Sequence, residues 1–245
     1  MRGTNAAGPP AHRFHFYAWD FESTLGSYFQ DRTLIGDNYS ERVGPAQIYY
    51  KLRRHPEFQR LFGDRLHRNF FNNGALTPAA NIARWYARMR EIEGPMVCES
   101  ARWGDYRTPG APYTRNVSWY SEMYQETNGW FPNRTAVVLS QFKSIGLYPN
   151  VTAPVFSHPG GAVTSGWRLA MFAPQGTVYY TVDGSDPWLW GSGVASTAIP
   201  YSNDVIITGN VRIKARALDG GEWSALNEAV FTVGRPPFRV TELMY

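Results

Sequence analysis

One cysteine, Cys98, stands in 245 residues. A lone thiol excludes a disulfide framework and a cysteine metal site, and its expected place is that of a buried small hydrophobe. Lysine is scarce too: only Lys51, Lys143 and Lys214 join the arginines among 24 basic residues. The net charge is +4 and the basic residues are scattered among acids. That pattern excludes the basic stripe of a nucleic-acid binder. No apolar run reaches membrane-spanning length. Residues 1–12 are rich in Gly, Pro and Ala and lack the apolar core of a signal peptide. His12, His67 and His158 have no partners at metal-ligand spacing. No Ser/His/Asp arrangement is present, and no Gly-rich phosphate loop, since Gly160-Gly161 falls between predicted strands.

What is present is an aromatic excess, 16% within a hydrophobic content of 43%, enough for a real core. The chain is organised around Phe14–Gly26. Phe14 to Trp19 reads as a buried strand, and Asp20 and Glu22 follow at its end, where period-two alternation points both carboxylates to one face. Paired acids at a strand end are one way to hold a hard cation such as Mg²⁺ beside phosphates. The plainer alternative is that Asp20 caps a turn and Glu22 is solvated. His15 reads as a strand residue rather than a base.

Helical patterning follows. Pro45 opens a first helix through Ile48, Tyr49 and Leu52, and Pro56 a second. Phe58, Leu61, Phe62, Leu66 and Phe70 form a 3.6-period stripe, with Arg60, Asp64, Arg65 and Arg68 on the other face. Asn72-Asn73-Gly74 is a stop, and Thr77-Pro78 caps a third helix carrying Ile82, Trp85, Tyr86 and Met89. Gly94-Pro95 separates it from a short helix over 96–103. Thr114 or Asn116 caps a helix that Asn128-Gly129 should stop, and Pro132 starts the last, which Gly146 terminates.

From Ala153 the pattern changes to short β-runs broken by Gly, Pro, Asn and Asp. The predicted strands are 155–156, 167–172, 177–182, 205–207, 211–217 and 229–233. Such spacing indicates an antiparallel sandwich. Asp183-Gly184 is a tight turn, and Asp183 and Asp186 serve it without needing Ca²⁺. Arg212, Lys214 and Arg216 alternate along one strand and read as one solvated face. Trp188 and Trp190 lie in the 186–193 loop, where exposed indoles would stack on a glycan or a partner surface.

Tyr180–Pro187 and Ile213–Ser224 resemble the small Fn3-like C-terminal sandwich of chitobiases and β-hexosaminidases, a non-catalytic accessory module. Phe16–Gly26, His55–Phe58, Arg102-Trp103-Gly104-Asp105, Trp119, Phe131–Arg134 and Gly146–Pro149 together look like the C-terminal half of the CotH spore-coat kinase family. Arg239–Tyr245 is similar to the first strand of a lamin-tail-like sandwich.

These likenesses imply an α+β multidomain chain, a mostly helical kinase-like C-lobe followed by an all-β immunoglobulin-like sandwich. The expected divisions are 1–13 as a linker or truncated loop, 14–149 as the CotH-like part, 151–234 as the sandwich, and 235–245 as a linker and strand. The resemblance implies Mg²⁺ and ATP as cofactors, Asp20 as the metal-binding and catalytic acid, and Glu22 as a second ligand where the family often has Asp. Arg102 and Asp105 are cleft candidates, although Trp103 also reads as a packing anchor with Arg102 paired to an acid. The implied activity of the parent is phosphoryl transfer to a protein hydroxyl at the cell surface or outside the cell. The upstream nucleotide-binding lobe and its Lys are missing, so this chain alone is expected to be inactive. The alternative is a non-catalytic surface or secreted protein that binds protein or glycan through Trp188 and Trp190.

Overall fold

A computed structural model describes residues 24–35, 37–38, 43–106, 108–191 and 193–234. The aromatic strand, Asp20, Glu22 and the lamin-tail-like strand lie outside the described residues.

Helices occupy the first part of the described chain: α1 (Gly44–Leu52), α2 (Pro56–Phe70), α3 (Pro78–Ile92), α4 (Pro95–Trp103), α5 (Tyr120–Gln125) and α6 (Phe131–Ser144). Proline falls in the first turn of α1, α2, α3, α4 and α6, where its missing N–H leaves no bond unmade. Thr77 caps α3 by accepting from the Ala80 N–H. The α6 terminus is a Schellman turn: Gly146 sits at φ +74°, its N–H reaches the Lys143 carbonyl, and the Leu147 N–H reaches Phe142.

The expected stop at Asn128-Gly129 does not occur. Glu126–Trp130 forms a π-helical turn that joins α5 to α6, and a second π-helical turn, Arg115–Trp119, leads into α5. Asn128 donates to the Tyr124 carbonyl one turn back, so its side chain supports the helix. Trp85 of α3 meets Phe131 of α6 edge-on, and Phe62 of α2 meets Phe142. Two other expectations fail. Cys98 is exposed, and Trp103 is half exposed, stacked under Arg102 and edge-on to Tyr106. α4 buries none of its side chains, so its apolar residues have no core to enter.

The β part starts at β1 (Val155–Phe156). It continues through β2 (Gly161–Val163), β3 (Trp167–Leu169), β4 (Met171–Phe172), β5 (Thr177–Thr181), β6 (Trp188–Leu189) and β7 (Gly193–Val194). It ends with β8 (Ile199–Pro200), β9 (Val205–Ile207), β10 (Val211–Asp219), β11 (Glu222–Trp223) and β12 (Asn227–Val233). The main sheet runs β2-β12-β10-β5-β8, with β11 paired to β10. It is antiparallel except at one edge, where β2 runs parallel to β12. The pairs β1–β4 and β3–β9 close over it. Phe156, Leu169, Met171 and Ile207 thereby meet Val178, Ile213, Ala215, Ala229 and Phe231 in one core.

The two parts are not tethered by a loose linker. Leu147, Tyr148, Val151, Ala153 and Pro154 are buried where the chain crosses between them. Gly63 on α2 permits that crossing, since a Cβ there would stand 3.3 Å from Pro149 and 3.4 Å from the Leu147 carbonyl. Leu66 and Tyr148 share a cluster with Ala225 of the β part.

Turn geometry yields a graded expectation. Gly166 and Gly176 both have φ in the left-handed region, but a Cβ at Gly166 meets nothing, whereas one at Gly176 would lie 2.3 Å from the Leu218 carbonyl oxygen. Gly166→Ala should cost about 1–2 kcal/mol in urea unfolding. Gly176→Ala should cost clearly more, and equal losses would contradict the clash.

Candidate functional site

β10 alternates as the sequence requires: Ile213, Ala215 and Ala217 enter the core, and Arg212, Lys214 and Arg216 share the opposite face. That face is not all solvated. Arg216 is 1% exposed because α2 covers the end of the sheet where it projects. Alternation fixes the face of a strand but says nothing of what lies over it.

A buried guanidinium is tolerable only when its donors are all met. Arg216 meets this condition with all five N–H groups. Nε and Nη2 donate to the two carboxylate oxygens of Asp186 at 2.7 Å each. Nη1 and Nη2 donate to Asp64 at 2.8 and 2.7 Å, and Nη1 also reaches the Ser224 carbonyl at 2.9 Å. Asp64 comes from α2, Asp186 from the Asp-Pro turn after β5, and Ser224 from the segment following β11. Arg60, one turn before Asp64, bridges both acids at 3.2 and 3.3 Å. The Leu226 and Trp188 N–H groups take up further carboxylate lone pairs. Two arginines thus face two aspartates with no net charge.

The electrostatics follow from this arrangement. Burial alone would push the Asp186 carboxyl up, but the Arg216 hydrogen bonds and charge, the Trp188 N–H and Arg60 hold it below its ordinary range. Burial would pull the Arg216 guanidinium down, and Asp186 and Asp64 hold it above its usual value. His67, the next turn of α2, is buried; burial lowers its pKa to about 4, with Asp64 opposing and Arg216 assisting. Its Nδ1 lies 2.8 Å from the Tyr148 hydroxyl and its ring stacks on Phe71.

Beside this cluster lies a groove of about 370 Å³ between α2, the 146–149 crossing and the sandwich. Trp188, Trp190 and Trp223 form its apolar walls, with Arg60, Gln59 and Glu222 among them. Arg60 lies 4.7 Å from the Trp188 ring centroid, a cation–π contact. Trp190 stands at 73° to Trp188 with centroids 5.6 Å apart and is 55% exposed. Of the predicted surface pair, Trp188 is therefore half-buried under an arginine, and Trp190 is the exposed member.

The cleft candidates are not brought to this groove. Asp105 lines a separate depression with Ser100, Thr114 and Arg115, while Arg102 lies over Trp103 at 4.9 Å. Asp183 accepts from the N–H and hydroxyl of Ser185, so its role is to hold the turn. Among the described residues, no group of three or more His, Cys, Asp or Glu side chains could hold a metal ion. The segment from Gly26 to Gln30 is pinned to α6 and to the π-helical turn before it. Trp130 donates to the Gly26 carbonyl, Arg134 to Tyr28 and Gln30, and Gln141 to Phe29.

The sequence missed Arg216, Asp64 and Asp186 as one unit. Arg60 and Asp64 at i, i+4 on α2 and the Asp-Pro turn were the available signals, and each also fits a solvated role.

Two measurements check the cluster. Asp64→Asn keeps the shape but leaves Arg216 with one carboxylate, and should cost about 3 kcal/mol in urea unfolding. Glu91→Gln removes the partner of exposed Arg88 and should change nothing measurable. A loss as small for Asp64→Asn would mean the buried pair is not holding the parts together. The second concerns pH. Native His67 stays neutral down to about 4, whereas the unfolded residue takes a proton near 6.5. Stability is therefore lost as pH falls across that window, by about 3 kcal/mol in all. His67→Asn, which does not titrate, should remove that slope between pH 6.5 and 4.

Among the described residues, no helix is long and apolar enough to cross a membrane. No curated protein and no solved structure matches the chain. Residues 168–230, from β3 into β12, match the family described as Fn3 associated, which fits the Fn3-like β-sandwich seen in the fold.

Proposed function

We propose that this chain is part of a CotH-like protein phosphotransferase, in which a helical lobe carries an Fn3-associated sandwich as a fixed accessory. The observation that carries this reading is Arg134. It belongs to the Phe131–Arg134 stretch of the family likeness, and its guanidinium clasps the carbonyls of Tyr28 and Gln30. The chain is thereby held at Tyr28 and Gln30, a few positions after Asp20 and Glu22 in sequence, which supports this reading. The order of parts agrees: helices first, then the Fn3-associated residues.

In this reading Asp20 and Glu22 would hold Mg²⁺, which neutralises charge on the phosphates of ATP during transfer to a protein hydroxyl. Both acids lie outside the described residues, and no step of the transfer is assigned to the described ones. Their part is positional: α6 holds the segment from Tyr28 to Gln30, and the Arg216 cluster sets where the sandwich stands relative to α2. The parent acts at the cell surface or outside the cell.

A second reading is favoured by the exposed Trp190 beside Trp188. It makes the chain a non-catalytic surface or secreted protein that binds protein or glycan through its sandwich.

A transfer assay with labelled ATP and Mg²⁺ separates the two, using the complete translated product of the gene. Transfer to protein should fall at least about 100-fold in Asp20→Ala. Equal transfer by wild type and variant would sink the phosphotransferase reading, as would no transfer by either.

A further inference from the structure

We infer that the groove between α2 and the sandwich is a binding site for a neutral hexopyranose unit of a glycan, with the Trp190 indole as its stacking platform. The inference rests on the binding reading above and names its site and ligand class. The groove's size lies within the roughly 300–1,000 Å³ range of small-ligand sites.

The chemistry of the walls selects the ligand. A pyranose ring presents an apolar C–H face and a rim of hydroxyls. An exposed indole offers a flat apolar face of matching kind, and Trp190 is held upright by Trp188, whose own position is fixed by Arg60. Two polar side chains at the walls have acceptor capacity to spare, beside one buried donor, Arg60 Nε, that has no partner. Glu222 accepts the Asn150 N–H through Oε1, leaving Oε2, and Gln59 donates to the Arg53 carbonyl through Nε2, leaving Oε1. Acceptors beside an aromatic face suit hydroxyl donors.

Charge decides between ligand classes. The two arginines of the groove are already neutralised by Asp64 and Asp186. The remaining charge is the carboxylate of Glu222, which disfavours phosphate, acidic peptides and uronic or sialic sugars. A proline-rich peptide also seeks aromatic grooves, but it brings one acceptor carbonyl per residue and no N–H at proline. Facing Glu222 and Gln59, it leaves acceptors opposite acceptors.

The test is tryptophan-fluorescence titration of residues 1–245 with cellohexaose, chitohexaose and mannohexaose, and separately with a decaproline peptide. At least one hexasaccharide should give a saturable change. Trp190→Ala should weaken it about ten-fold or more, and Trp190→Phe should retain most of it. Because Trp190 is half exposed and touches Trp188 at the groove's rim, Trp190→Ala should lower the thermal midpoint by only a few degrees with unfolding still cooperative, which separates lost stacking from lost fold. Saccharide binding that ignores Trp190→Ala would overturn the groove as the site while leaving the binding reading intact. Binding of decaproline but of no hexasaccharide would overturn the ligand class and again leave that reading intact. If neither probe binds, the inference fails, and the phosphoryl-transfer assay bears on the two wider readings independently.

Discussion

The buried guanidinium of Arg216 is the constraint on which the rest of the described structure depends. Desolvating an ion of this size costs several kcal/mol, and the cost is offset only if every donor finds a well-placed acceptor. Three separate segments supply those acceptors: Asp64 on α2, Asp186 in the turn after β5, and the Ser224 carbonyl after β11. None can shift without leaving a charge unpaired in a dry interior. Apolar contacts at the same boundary, such as Leu66 and Tyr148 with Ala225, add burial but tolerate sliding. Two bidentate carboxylate contacts on one planar fork do not. The apolar contacts hold the helical and β parts together, and the charged cluster sets their register.

The groove inherits its shape from this cluster. Trp188 follows Asp186 by two residues and donates its N–H to that carboxylate; Arg60 is one helical turn from Asp64 and lies over the Trp188 ring. Trp223 and Ser224 are neighbours in sequence. The walls are thus set by residues adjacent to the ion pairs, on elements that the ion pairs fix. This is how a short hairpin, β6–β7, which could not be stable alone, comes to present an indole in a defined orientation. Trp190 itself makes little contribution to that scaffold, being half exposed at its rim.

Local chemistry was legible in the sequence, and longer-range coverage was not. Pro56, Thr77-Pro78 and Gly146 marked helix ends correctly, because caps and breakers act within a turn of themselves. The alternation of β10 was also right, face by face. The solvated role given to Arg216 was wrong, because the covering helix lies some 150 positions earlier in the chain. Asn128-Gly129 failed as a stop for a related reason. The π-helical turn absorbs the glycine while α6 packs on α3 through Phe131, so tertiary contact overrides a local signal. Cys98 was placed in a core by its residue type, yet α4 has no core of its own to join. The groove was half legible: Trp188 and Trp190 were singled out, but their third wall, from α2, required the fold.

The same geometry bears on why an accessory sandwich would be attached so firmly. Modules joined by polar, modest interfaces ordinarily move relative to one another. Here the crossing from Leu147 to Pro154 is buried, and the interface contains a fully paired arginine. A flexible tether would raise only the local concentration of whatever the sandwich binds. A fixed mount also sets the distance and angle between that ligand and the helical lobe, including the segment from Gly26 to Gln30 that α6 holds. Rigid mounting therefore matters most where something bound at the sandwich must meet something positioned by the helices. In the phosphotransferase reading that meeting is between an acceptor and the acid pair. In the binding reading no such geometry is required, and the ion-pair cluster would serve only to shape the groove.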